Sequence, residues 1–482
     1  MDRIIIFGTG LFYKNRKWFL GKLLEQDKIV AFIDNNENLT GAQIEGIPIY
    51  LPSYVNELQF DYVLLMSINA AEMRKQLLQL NISEDKIYSY EDYCCQVKGN
   101  ILLEYTGGQF SLYEKSKWRY TGGNSDNQGK RKKYLIISTS LNYNGGTMAA
   151  VYACQALYNH GHEVVLAAPD GNDTFIAEMG KRGVEIILVP SMPAYNEMDS
   201  MFLSQFDRIM VNVVQMIEYA CELSKHNPVV WWIHEPEMLY NIVLNKYPQY
   251  RDISSFKSIK IYSVSDLAKY NFESYMRVRV NGVLPLGIPD EKQETNQKRS
   301  DKIVFAMIAD FLPLKAQDIL LKAVAGMKKR DKFEVWLIGN ITETEYAKDI
   351  VREAETMPNV KIFGRLNHDE IVKIYNLIDV VICASLEETM SIAIAEGMMH
   401  GKICITTDNT GIASYITDEL NGLICKTGDA ESLAKKISWV IERYPYLNKM
   451  KEQARKTYEE QFAFDVFEKR LESAFEDLMN KP

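Results

Sequence analysis

The chain has 482 residues, 47% of them hydrophobic and 25% charged, the composition of a soluble globular protein with room for about two to four separately cored domains. A net charge of −9 speaks against a nucleic-acid partner, because such proteins carry a basic excess, and no stretch approaches the roughly 18 consecutive apolar residues of a membrane span. The seven cysteines (Cys94, Cys95, Cys154, Cys221, Cys383, Cys404, Cys425) show neither Cys-x-x-Cys nor Cys/His metal spacing, so no metal site is expected; Cys383 and Cys404, in apolar strand-like runs, read as small core residues of a reduced protein. The N-terminus enters Ile4–Phe7 without a signal-peptide layout, which places the protein in the cytoplasm, with the inner face of the membrane as an additional location.

Apolar runs of strand length alternate with helical patterns almost throughout, which predicts an α/β protein of parallel sheets covered by helices. Residues 1–99 read as one Rossmann-like unit. Its strands are Ile4–Phe7, Ile29–Asp34 and Tyr62–Met66, with a Gly8-Thr9-Gly10 turn and helices over Leu11–Leu24 and Ala70–Leu80. Residues 100–132, with Thr-Gly-Gly at 106 and again at 121, read as a polar linker holding a short ordered patch around Phe110–Tyr120. The basic run Gly129–Lys133 is a solvated hinge or, alternatively, a contact for anionic lipid or a polyanionic carrier.

A second unit, 133–290, carries expected strands at Tyr134–Ser138, Val164–Ala168, Val184–Val189, Arg208–Val211, Val229–Ile233 and Ile261–Val264. The charged stretch Asp290–Asp301 connects it to a third unit, 291–463, with strands at Ile303–Ile308, Val335–Ile338, Val360–Phe363, Val380–Ala384 and Ile403–Thr406. Residues 464–482 hold an amphipathic helix whose Phe464, Phe467, Leu471, Phe475 and Leu478 share one face. It either crosses back to the second unit or completes the core of the third.

Ser385–Gly401 is the segment richest in chemistry. It follows a buried strand, turns into a helix near Ser391, and places Glu388 in the turn and Glu396 eight positions later inside the helix. A turn at the carboxyl end of a parallel strand, feeding a helix N-terminus, is where open α/β sheets bind anions and nucleotides. The spacing resembles the Glu-x7-Glu motif of retaining glycosyltransferases of family 4, which have the GT-B fold of two Rossmann-like lobes. The resemblance covers roughly Lys132–Phe467 and implies a metal-independent transferase that needs no cofactor and uses a nucleotide-sugar donor. It implies that Glu388 orients a donor-sugar hydroxyl, that Glu396 binds the nucleotide ribose, and that Met390, Ser391 and Ile392 present backbone amides to the phosphates.

Lys315, after the strand Ile303–Ile308, falls on the family's diphosphate-binding lysine. The glycine usual after it is Ala316, and the usual arginine positions hold Leu314 and Asp310. Either Arg365 or a lysine of the first lobe replaces that missing cation, or donor binding is weakened. Gly145 and Gly146, before a helix and a Gly-His-Glu-Val run at 161–164, match the family's phosphate-approaching loop. His234, ending Val229-Val-Trp-Trp-Ile-His-Glu-Pro, matches the histidine that touches donor or acceptor, and it is otherwise a structural residue at a strand end. Glu235 is a weaker candidate. Lys315, His234 and Glu388 are thus the catalytic candidates. The acceptor would be a glycan, a lipid-linked molecule or a protein, in bacterial surface polysaccharide or glycoconjugate synthesis.

In residues 1–99, Gly8, Gly10 and Asp34 outline an incomplete dinucleotide fingerprint, with Tyr13 in the third glycine slot. The unit resembles the N-terminal domain of bacterial sugar acyltransferases, which implies nucleotide-sugar recognition. Docking to a partner, or assembly into an oligomer, is the plainer alternative. Two other readings stay open for the whole chain: an NAD-dependent nucleotide-sugar oxidoreductase or epimerase built on Gly8, Gly10 and Asp34, and a non-catalytic GT-B partner protein.

Overall fold

The computed structural model describes residues 1–120, 131–192, 194–251, 258–292, 301–328 and 330–479. The second Thr-Gly-Gly, Gly129 and Lys130 of the basic run, most of the Asp290–Asp301 connection and the Leu478 side chain lie outside the described residues. The chain packs as two compact units. The first comprises Met1–Cys154, Gly161–Val211 and Gln215–Asn227; the second comprises Gln155–His160, Asn212–Val214 and Pro228–Pro482.

The first unit holds an N-terminal sheet of β1 (Arg3–Phe7), β2 (Lys28–Ile33), β3 (Gln43–Ile44), β4 (Ile47–Tyr50), β5 (Tyr62–Leu65) and β6 (Ile87–Ser89), in the order β3-β4-β2-β1-β5-β6. All pairings are parallel except β3 with β4. Ile5, Phe7, Ala31, Ile33, Val63 and Leu65 form its core with Leu77 from the helix Ala70–Gln79. Strands covered on both faces read as unbroken apolar runs, which is why Ile4–Phe7 is buried at every residue.

The linker expected over 100–132 is replaced, in its first half, by a β-hairpin. β7 (Ile101–Thr106) and β8 (Gln109–Glu114) pair antiparallel around Gly107 and Gly108, whose φ values are 58° and 85°. A two-residue turn with both φ values positive is the kind whose twist matches a hairpin, so the glycine pair marks a strand reversal and not a break in structure. β7 joins antiparallel to β11 (Glu185–Leu188), extending a sheet whose other strands here are β9 (Lys133–Ile137), β10 (Glu163–Ala168) and β12 (Arg208–Asn212), in the order β12-β9-β10-β11-β7-β8.

The residues after the hairpin are anchored too. Lys115, fully buried, pairs with the equally buried Asp199 and donates to Ser191 Oγ at 2.8 Å. Burial pushes the Lys115 ammonium down and the Asp199 carboxyl up, each opposed by the attraction of its partner. Trp118 stacks on Phe206 at 6.1 Å.

The second unit holds β13 (Val229–Ile233), β14 (Ile259–Ser263) and β15 (Gly282–Val283), parallel to one another in that order. The helix Phe464–Met479 covers β13 and β14: Phe467 stacks on Trp232 at 5.5 Å, and a Cβ at Gly287 would stand 2.8 Å from the Phe467 ring. The unit also holds an all-parallel sheet of β16 (Ile303–Ile308), β17 (Phe333–Ile338), β18 (Val360–Gly364), β19 (Val380–Cys383), β20 (Ile403–Thr407) and β21 (Leu423–Cys425). Its order is β18-β17-β16-β19-β20-β21. The chain winds outward in one direction from β16 and in the other from β19, so the crevice beyond their carboxyl ends is the topological switch point.

Breaking one side of a buried ion pair strands the other charge. Lys115→Met should therefore lower the free energy of unfolding by about 3–5 kcal/mol, and Lys115→Met with Asp199→Leu should recover at least half of that loss. Urea unfolding of the three variants measures both.

Candidate functional site

The switch point of the β16–β21 sheet brings together Lys315, Glu388 and the helix that carries Glu396. After β16, a short turn Pro313–Lys315 leads to Ala316 and then the helix Gln317–Ala325. After β19, residues 384–391 lead to the helix Ile392–Met399. Leu386 N donates to Leu314 O at 2.9 Å, so the two loops are tied to each other through backbone. Across that tie the Lys315 ammonium forms an ion pair with the Glu388 carboxylate, both groups about one-fifth to one-quarter exposed. Burial pushes the Lys315 ammonium down, but the attraction of Glu388 and the hydrogen bond to it win, and the net direction is up. Lys315 is therefore charged at any working pH.

The backbone of Glu388 is fixed from the neighbouring loop after β20. Glu388 N donates to Asn409 O at 3.3 Å, and Gly411 N donates to Glu388 O at 2.8 Å. A side chain at 411 would run into Thr389 O and the Ser265 side chain, so this position requires glycine for close approach. Ala316 supplies the opposite case. It sits at φ 59°, ψ 46°, left-handed geometry that an L-residue with a Cβ adopts at a cost. Glycine would fit this backbone without strain, and the alanine here carries it.

Ser391 is the N-cap of the helix Ile392–Met399: its hydroxyl accepts from Ile394 N at 3.3 Å. Four N–H groups open any helix without intrahelical partners, and this cap satisfies one. Met390 and Ser391 are buried. Glu396 is partly buried on the same helix, and Tyr375 donates its hydroxyl to Glu396 Oε2 at 2.8 Å, with Ala393 O at 3.1 Å as a second acceptor. Tyr375 stacks on His400 at 4.6 Å, and burial pushes that imidazole down to about 4, so it is neutral. Nothing in the spacing of Glu388 and Glu396 points to Tyr375, which lies on a different helix.

His234 follows β13, its ring edge-on to Trp232 at 4.2 Å. Its Nε2 is buried and, among the described residues, makes no hydrogen bond. Burial pushes the ring down to about 3, which leaves a neutral imidazole able to exchange one hydrogen bond with a ligand. The His234 carbonyl accepts from the Thr389 hydroxyl, and Glu387 Oε1 accepts from Glu237 N at 2.8 Å and Asn271 Nδ2 at 2.7 Å. Glu387 thus ties the Glu388 loop to the helix that follows His234. Its partners lie more than a hundred positions away in sequence, so no local pattern marks it.

Glu235 is more deeply committed than its sequence setting suggests. Its carboxyl is buried and accepts from His234 N at 2.9 Å, with Val214 N and its own N–H also directed at it. Burial dominates and pushes it up to about 7.

Arg365 leaves the end of β18, exposed and two strands from β16 in the sheet order. Gly145 and Gly146 open the helix Gly145–Asn159 in the first unit, where Asn144 Oδ1 accepts from Thr147 N at 2.9 Å. Gly8 and Gly10 follow β1, which borders the switch point of the N-terminal sheet, and Asp34 follows the neighbouring β2. Asp34 Oδ2, however, accepts from Thr9 N at 2.8 Å and Thr9 Oγ1 at 2.7 Å, and Oδ1 from Asn36 N at 2.9 Å. Both carboxylate oxygens hold the loop, where a dinucleotide site would keep them for a ribose.

Residues 289–457 match the family described as glycosyl transferases group 1, and residues 1–88 match the family described as C2185-like, N-terminal. An uncharacterized glycosyltransferase of Methanocaldococcus jannaschii, MJ1607, is 21% identical over 242 residues, covering 47% of this chain. The chain spans 62% of the length of that relative. Among solved structures, a glycosyltransferase from Rickettsia africae aligns with a TM-score of 0.60 at 17% identity, over 73% of this chain and all of the other. Anabaena Alr3699/HepE in complex with UDP and glucose aligns with a TM-score of 0.60 at 15% identity, over 72% of this chain and all of the other. The fold is α/β of the GT-B class. No helix among the described residues is long and apolar enough to cross a membrane.

Two measurements check the local physics. Ala316→Gly should leave stability unchanged or raise it by about 1 kcal/mol, whereas Ala323→Gly inside the next helix should lose about 1 kcal/mol, both by chemical denaturation. The Glu235 carboxyl is raised when folded, so its contribution is full below its ordinary pKa and is lost as pH rises toward 7. Wild type should lose up to about 3 kcal/mol between pH 4.5 and 7.5 relative to Glu235→Gln. His234 acts in the opposite direction, losing stability as pH falls below 6.5, and cancels in that difference.

Proposed function

We propose that this protein is a retaining, metal-independent glycosyltransferase that moves a sugar from a nucleotide-sugar donor to a carbohydrate-containing acceptor of the bacterial surface. The observation that carries the reading is the Lys315–Glu388 pair at the sheet's switch point, with Glu396 on the helix that leaves the same loop. The group 1 glycosyltransferase domain and the Anabaena structure with UDP and glucose support it, and they make a uridine diphosphate sugar the first donor to test.

In this reading the donor's diphosphate enters beside Lys315. The ammonium then shares its charge between Glu388 and the phosphate oxygens. As the bond from the anomeric carbon to the diphosphate oxygen breaks, negative charge grows on the leaving group, and a preset cation there stabilises the transition state more than the ground state. The acceptor hydroxyl oxygen forms the new bond on the same face, and its proton passes to the departing phosphate oxygen. His234 is too weak a base to take that proton, because burial holds it near 3. Its unpartnered Nε2 suits a hydrogen bond to a sugar hydroxyl. Glu388 keeps one carboxylate oxygen for the donor sugar, and Glu396, steadied by Tyr375, takes the ribose hydroxyls.

Thermal shift and turnover test this together. One nucleoside diphosphate should raise the melting temperature of the wild type, and Glu396→Ala should weaken its binding about tenfold, or about 1.4 kcal/mol. Lys315→Met should cut turnover of the matching nucleotide sugar by about 10²–10³. Stabilisation by NAD alone, unchanged in Glu396→Ala, would overturn the reading.

A further inference from the structure

We infer that Arg16 and Trp18, on the helix Leu11–Leu23 of the N-terminal sheet, are positioning residues for the glycine loop that leads into the helix Gly145–Asn159. The inference gives the added N-terminal domain a mechanical task, and its bearing on ligand binding rests on the proposed function.

The connection runs through Asp170 and Gly171. Arg16 Nε lies 3.4 Å from Asp170 Oδ2, and its guanidinium carbon sits 4.0 Å over the Phe12 ring and 5.5 Å from that of Tyr90. Two aromatic faces and a carboxylate hold one partly buried cation in a single place. Trp18 donates its Nε1–H to Gly171 O at 3.0 Å, and its ring lies 5.1 Å from that of Phe110 on the hairpin.

On the other side of Asp170 is the base of the glycine loop. Ser140 donates its hydroxyl to Asp170 Oδ1, and the same hydroxyl accepts from Asn142 Nδ2 at 2.7 Å. The Ser140 carbonyl accepts from the Thr147 hydroxyl, inside the first turn of the helix, at 3.0 Å. Leu141 N donates to Asp170 O at 3.0 Å, and Asn172 N donates to Leu141 O at 2.8 Å. The two loops also touch: a Cβ at Gly171 would stand 2.7 Å from Leu141 Cβ and 3.0 Å from Leu141 O. Contact this close leaves no slack, so Asp170–Gly171 and Ser140–Leu141 move as one body. Each oxygen of Asp170 serves a different domain, Oδ2 the N-terminal helix and Oδ1 the glycine loop. A backbone that must approach a phosphate to hydrogen-bond distance tolerates little displacement, so a brace of this kind acts on binding without touching the ligand.

Hydrogen exchange on the full chain without ligand tests the brace directly. In Arg16→Gln and in Trp18→Phe, amides of residues 139–148 should exchange at least fivefold faster than in wild type. Those of β16–β21 should be unchanged, and Arg16→Lys should restore protection. Titration with uridine and guanosine diphosphates should then show Kd raised fivefold or more in Arg16→Gln, restored in Arg16→Lys, and non-additive with Ser140→Ala. Exchange over 139–148 within twofold of wild type in both variants overturns the inference. So does a slowdown or speed-up spread evenly over the whole first unit, which marks general destabilisation. Faster local exchange in a protein that binds neither diphosphate confirms the brace and sinks the proposed function instead.

Discussion

The pairing of Lys315 with Glu388 governs the organisation of the second unit. Neither charge is free in water, and either one alone would be a partly buried, uncompensated ion. Each sits on a loop at the end of a different strand, so the pair forms only if β16 and β19 are neighbours and their loops keep a fixed spacing. The backbone bond from Leu386 N to Leu314 O sets that spacing, and the bonds from Glu388 to Asn409 and Gly411 bring the loop after β20 into the same arrangement. Three strand ends are thus locked around one ion pair. Under the proposed function, an entering diphosphate would meet a cation already charged and already placed.

Burial decides which groups in this region can carry protons. The imidazoles of His234 and His400 are held neutral because charging them would cost desolvation, and at His400 the nearby Lys402 adds to that cost and outweighs the attraction of Asp290. Lys315 is also desolvated, yet it stays charged because Glu388 stands beside it. Desolvation therefore gives opposite outcomes for neighbouring groups, and the presence of a counter-charge is what separates them. Under the proposed function, charge stabilisation would fall to Lys315 and hydrogen bonding to the histidine, a division that fits a reaction whose main demand is to hold a leaving anion.

Much of the fold is legible in the sequence because parallel strands covered on both faces must be apolar at every position. Ile4–Phe7, Val229–Ile233 and Ile403–Thr407 are buried throughout and read as strands on sight. The hairpin Ile101–Glu114 escapes that rule. Its second strand alternates exposed and half-buried residues at the sheet edge, and its glycine pair reads as a break, so the segment looks like a linker. In the site, Glu388 and Glu396 are legible because their spacing is local, and Lys315 because it opens a helix after a strand. Glu387 and Tyr375 are not, and Glu235 is only in part, because their roles depend on partners brought in by the fold. Asp34 shows the converse: its position in the fingerprint is plain, but only the structure shows its oxygens occupied by Thr9 and Asn36.

The end of β13 shows how such a site is made rigid. Val213 adopts φ 72°, a conformation that a β-branched residue reaches only under restraint. The restraint is visible. Val213 N donates to Trp232 O at 2.8 Å, Trp231 Nε1 donates to Val213 O at 2.9 Å, and the buried Glu235 carboxylate receives the next amide, Val214 N. The same carboxylate receives His234 N at 2.9 Å. One buried acid therefore holds both a strained corner and the backbone of the histidine whose Nε2 is left unpartnered. Strain of this kind persists only where the surroundings over-determine it, and it collects where geometry matters more than stability. Trp231 and Glu235 hold the backbone of this corner, and the Trp232 ring packs edge-on to the imidazole, so the direction of His234 is set by its surroundings.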